Sequence, residues 1–83
     1  MAKKDWKPQK ERTFQQRTIL GYATWIIKSW KKGNTTLEYW RRVRQITWTD
    51  YHLVQLGDGT KLFDAGIYPK KALEFLNKYM EKN

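Results

Sequence analysis

The strongest constraint on folding is the pairing of Tyr51-His52-Leu53-Val54-Gln55-Leu56 with Lys61-Leu62-Phe63 around Gly57-Asp58-Gly59-Thr60. Gly and Asp supply the positive φ angles that a tight turn demands, and alternating apolar residues on either side fit two antiparallel strands. The chain therefore contains a β-hairpin. Asp64-Ala65-Gly66 breaks the second strand, and Pro69 then stands where a first-turn proline is tolerated, its missing N–H being unpaired there anyway. Ala72, Leu73, Phe75, Leu76, Tyr79 and Met80 give the following helix a broad apolar face, with lysines and glutamates outside it.

The first half of the chain leaves two readings open. Ile19, Tyr22, Ala23, Ile26, Ile27 and Trp30 have the spacing of an amphipathic helix that ends at Gly33. The same segment, residues 15–32, is rich in β-formers, and Gly21 costs a helix interior about 1 kcal/mol. Read as a strand, it turns back through Lys31-Lys32-Gly33-Asn34. From Thr35 to Thr47 a strand is expected, with Trp40, Arg42, Arg44, Ile46 and Trp48 on one face and Leu37, Tyr39, Arg41 and Val43 on the other. A helix opened by the capping box Thr35-Thr36-Leu37-Glu38 competes with it. Residues 1–13, with Pro8 and alternating charge, read as a flexible basic arm carrying Lys3, Lys4, Lys7 and Lys10, unless Trp6 tethers it to the domain.

Eighty-three residues make one domain with a thin core, and without cysteine that core has no disulfide or Cys-based zinc site to support it. Five tryptophans must supply much of it, so only some can serve a ligand. The formal charge is +9, from seventeen Lys and Arg against eight Asp and Glu, and residues 28–45 alone carry six cations and one anion. That segment interleaves the cations with Trp and Tyr. Cations neutralise phosphates and release counterions, while the rings offer faces for bases or wedges for a groove.

Catalysis is poorly provided for: the chain has one histidine, no cysteine and few carboxylates to converge with it, so no enzyme activity, metal or cofactor is expected. His52 falls inside the hairpin, where a structural role suffices. The N-terminus has charges without an apolar signal region, and no run of eighteen apolar residues occurs, which makes a soluble cytoplasmic protein the expectation.

The Trp- and Arg-rich strand, the Gly-Asp-Gly hairpin and the Pro-Lys-Lys-Ala-Leu-Glu-Phe-Leu helix resemble, over residues 39–82, the small archaeal SH3-like chromatin proteins, whose Trp-bearing sheet binds duplex DNA. With residues 15–32 helical, the element order is instead similar to double-stranded RNA-binding domains. The expected architecture is an α+β domain over residues 14–83, an antiparallel sheet of three to five strands, SH3-like and bent as one form, against a C-terminal helix. The expected function is non-enzymatic binding of nucleic acid, duplex DNA first and RNA second, with little base specificity. Its expected contacts are Lys28, Lys31, Lys32, Trp40, Arg41, Arg42, Arg44, Trp48, Lys70 and Lys71. The alternative is a small protein-binding module or inhibitor that targets an acidic or nucleic-acid-binding surface, because Trp, Tyr and Arg also dominate protein hot spots.

Overall fold

A computed structural model describes residues 5–19, 21–43 and 50–83, and these residues form six strands and one helix. These are β1 (Lys7–Pro8), β2 (Arg12–Thr18), β3 (Gly21–Lys32), β4 (Thr35–Arg42), β5 (Tyr51–Leu56), β6 (Lys61–Gly66) and α1 (Pro69–Lys82). All pairings are antiparallel. β3, β4, β5 and β6 follow one another in an open sheet, while β1 and β2 lie along the other edge of β3, against its second and first halves.

Residues 15–18 end β2 and residues 21–32 form β3, so the helical reading of this segment is corrected and the strand reading becomes two paired strands. The 3–4 spacing of apolar residues arises because β3 is covered on both sides, Ala23 and Ile27 being buried on one and Trp30 packing into the core on the other. A strand covered twice loses the simple alternation that marks a half-buried one. Its return turn is Gly33-Asn34, with Gly33 at φ 59°, the glycine-first pattern of a type II′ hairpin. The capping-box helix at Thr35 does not form, since Thr36, Leu37 and Glu38 pair with Lys31, Trp30 and Ser29 of β3.

The hairpin expected at residues 51–63 is present. Leu56 N–H donates to Thr60 O at 2.8 Å, Thr60 N–H to Asp58 Oδ1 at 2.9 Å, and Gly59 takes φ 96°. The terminal helix begins at Pro69 as read from the sequence. Ala72, Leu76 and Met80 bury its apolar stripe against Leu37, Tyr39, Val54 and Ala65. Trp6 joins this core at 5 % exposure, its ring 6.0 Å from that of Tyr79. Residues 5–13 of the expected basic arm are thus held by a buried indole and two strand pairings; Lys3 and Lys4 lie outside the described residues.

Candidate functional site

Directly paired residues of antiparallel strands project to the same side of a sheet, so the register sorts every side chain. One side carries Leu37, Tyr39 and Val54 and is covered by α1. Among the described residues no helix covers the other side, and its residues form rows across the strands. Phe14, Trp25, Arg42 and Tyr51 make one row, and Arg12, Ile27, Trp40, Leu53 and Asp64 the next. Ser29, Glu38, Gln55 and Lys61 make a third, and Lys7, Lys31 and Thr36 a fourth. With two residues per row at ~3.4 Å rise, the first and fourth rows stand roughly 20 Å apart along β3.

The rings on this open side touch in sequence. Phe14 meets Trp40 and Trp40 meets Trp25, each edge-on at 5.8 Å between centroids, and Trp25 meets Tyr51 at 6.2 Å. Such geometry suits the quadrupoles of aromatic rings and fixes their orientation. Polar contacts hold the indoles further: Trp25 Nε1–H donates to Gln16 Oε1 and Trp40 Nε1–H to Glu38 Oε1, both at 3.0 Å. Ile27 is fully buried beneath this layer, so the rings serve the fold as well as presenting a surface. Phe14, 48 % exposed on the edge strand, is the most accessible of them.

Charge on the open side is mixed in its state. Arg12 forms an ion pair with the buried carboxylate of Glu38. The Arg42 guanidinium lies over the Tyr51 ring at 5.3 Å, a cation–π placement. Tyr51 donates its hydroxyl hydrogen to Asp64, which lowers the Asp64 pKa and raises that of Tyr51. Lys7 and Lys31 face each other across the β1–β3 pair with no partner among the described residues. Two like charges directly opposite are unfavourable, and an anion between them removes the penalty.

The expected contact residues do not share one surface. Lys31, Trp40 and Arg42 are on the open side, whereas Lys28, Lys32 and Arg41 project from the helix side of the sheet. Consecutive strand residues point oppositely, so Arg41 and Arg42 cannot both face one ligand. Arg41 is further bound by Asp50, through Nε at 2.8 Å and Nη2 at 2.7 Å. Lys32 donates to the Asn83 carbonyl and sits over Trp6. Lys70 and Lys71 begin α1, with the Lys71 ammonium 4.9 Å from the Tyr68 ring centre. Arg44 and Trp48 lie outside the described residues. Phe14, Trp25 and Tyr51, which the sequence does not single out for the site, and Lys7, expected only as part of a basic arm that adds affinity, come from four different strands, and only pairing brings them together.

On the helix side, beyond the N-terminal half of α1, a groove of about 610 Å³ is lined by Ile26, Lys28, Tyr39, Arg41, Ile67 and Leu73 among others. At its floor the Tyr39 hydroxyl and His52 Nδ1 share a hydrogen bond of 2.6 Å. Burial raises the Tyr39 pKa and lowers that of His52, so the histidine is held neutral as a structural group. Among the described residues no group of three or more His, Cys, Asp or Glu is placed to hold a metal ion, and no helix is long and apolar enough to cross a membrane. Comparison with known proteins finds no matching family model, curated protein or solved structure.

Proposed function

We propose that this protein binds nucleic acid without catalysis, through the side of its sheet opposite α1, and that an unpaired strand fits it better than a duplex. The observation that carries this reading is the chain of rings Phe14–Trp40–Trp25–Tyr51 on the same side as Arg42 and the opposed pair Lys7 and Lys31. Base stacking on aromatic side chains tolerates any sequence, because every base has a π-face, and backbone phosphates take the cations. A duplex hides its base faces and asks mainly for projecting cations on one surface. The division of Arg41 and Arg42 between two sides argues against the duplex arrangement expected from sequence. The net charge of +9 favours any polyanion over neutral partners.

The test is fluorescence anisotropy of labelled single-stranded DNA, single-stranded RNA and duplex DNA titrated with protein over a salt series. Single strands bind more tightly than duplex, and the log–log salt slope is about −2 to −3.5, as ~3–5 phosphate contacts at ~0.7 each require. A flat salt response, or no binding at ~50 mM salt, contradicts the reading.

A second reading, a protein-binding module, draws on the groove beside α1, where Ile67 and Leu73 stay half exposed next to the half-buried Ile26. Retention of an acidic protein in a pull-down, with no affinity for any nucleic acid, selects it.

A further inference from the structure

A sheet edge offers unpaired backbone N–H and C=O groups to any extended chain, and natural edges carry devices that prevent such pairing. Three segments lie at the edges of this sheet, and two of them are protected. β1 is two residues long and contains Pro8, which has no N–H to offer. β6 is irregular, its register against β5 shifting twice, and α1 packs on it. β2 differs from both. It runs seven residues, Arg-Thr-Phe-Gln-Gln-Arg-Thr, in unbroken register with β3, and contains no Pro, Gly or Lys. Six of its seven residues are exposed, and among the described residues nothing pairs with its outer edge.

We infer that β2 is a homodimerisation edge, pairing antiparallel with β2 of a second copy about a two-fold axis at Gln15. The sequence is self-complementary in that register. Gln15 meets Gln15, Phe14 meets Gln16, Thr13 meets Arg17 and Arg12 meets Thr18, so no two like charges stand directly opposite. Glu11, just before the strand, falls diagonal to Arg17 of the other copy, and the symmetry provides that attraction twice. An interface of this kind uses the same patch on both subunits and closes at two copies.

The axis runs through the sheet, so each side of one copy continues the same side of the other. The two Phe14 rings stand diagonally across the axis at roughly 7–8 Å, within reach of aromatic side chains. Phe14 already leans on Trp40, so pairing joins the two ring chains on the open side into one surface. The dimer follows from the edge alone and holds whether or not the ligand is nucleic acid.

The contact is one strand wide and about 24 Å long, from seven residues at ~3.4 Å each, so the association is weak and depends on concentration. The experiment is sedimentation velocity on the full chain without nucleic acid, from ~10 μM to ~1 mM, a range suited to an interface of this size. Expected is a rise in mass from 10.1 kDa toward twice that value. Two variants of exposed side chains move it in opposite directions. Gln15→Lys places like charges on the axis and weakens dimerisation about two- to fivefold, and Thr13→Glu opposite Arg17 strengthens it by a similar factor. Circular dichroism checks that both stay folded. A monomer throughout the range overturns the inference. So does a dimer indifferent to both variants, which points to another interface, and so does capture of an unrelated extended peptide on β2 by a chain that stays monomeric.

Discussion

Lys28 and Lys31 are exposed residues of the same strand, three positions apart, and they point to opposite sides of the sheet. Replacing either by alanine removes one charge from the same segment, so a ligand drawn only by overall basicity responds equally to both. Under the proposed interface the two responses separate. Loss of one phosphate contact to a single strand lowers the log–log salt slope by about 0.7, which means about eightfold weaker binding at 50 mM salt and about threefold at 200 mM. Lys31→Ala shows this loss and Lys28→Ala keeps the parent slope. The structure adds a second sign. Lys31 stands directly opposite Lys7, so Lys31→Ala relieves a repulsion in the uncomplexed protein and raises its melting temperature by about 1–4 °C while lowering affinity. Anisotropy across a salt series, with thermal melts of the uncomplexed proteins, measures both. Equal loss of slope in the two variants would falsify the assignment of the ligand to the open side, and an unchanged slope in Lys31→Ala removes the Lys7–Lys31 pair from it.

Three further outcomes follow from the same geometry. Phe14→Ala weakens single-strand binding about 5- to 150-fold, the worth of one stacked base, whereas Tyr22→Ala, comparably exposed but on the helix side, leaves it unchanged; anisotropy at protein concentrations where the parent is monomeric decides between them. Leu37, fully buried under α1, lowers stability by about 2–5 kcal/mol on replacement by alanine, read from urea unfolding. Burial holds the His52 pKa below the ordinary 6.5, so the unfolded chain binds a proton more readily than the folded one. Stability is therefore complete above about pH 6.5 and declines as pH falls through that value, and His52→Gln flattens the dependence in urea midpoints taken from pH 5 to 8.

Local chemistry written in consecutive residues was legible without a structure. The Gly57–Thr60 turn needs only its glycines and Asp58, the helix start needs only Pro69, and the alternation of Leu37 and Tyr39 with Trp40 and Arg42 sorts β4 into a core side and an open side. Segment 15–32 resisted because burial on both sides of β3 masks a period of two behind a spacing that suits a helix. The sequence leaves the tether at Trp6 open, since nothing near it along the chain reveals the cluster of Leu37, Leu76 and Met80 in which it packs.

A basic, cysteine-free α+β chain with a hairpin and a terminal helix can be read from the residues alone, because turn, cap and charge are properties of neighbouring residues. Which cations share a surface depends on strand pairing. Strand neighbours such as Arg41 and Arg42 must diverge, Asp50 engages one of them, and Phe14, Trp25, Trp40 and Tyr51 meet through pairings between four strands. A composition that reads as one continuous patch becomes two sides of a sheet, since backbone pairing and not adjacency along the chain sets where a side chain points.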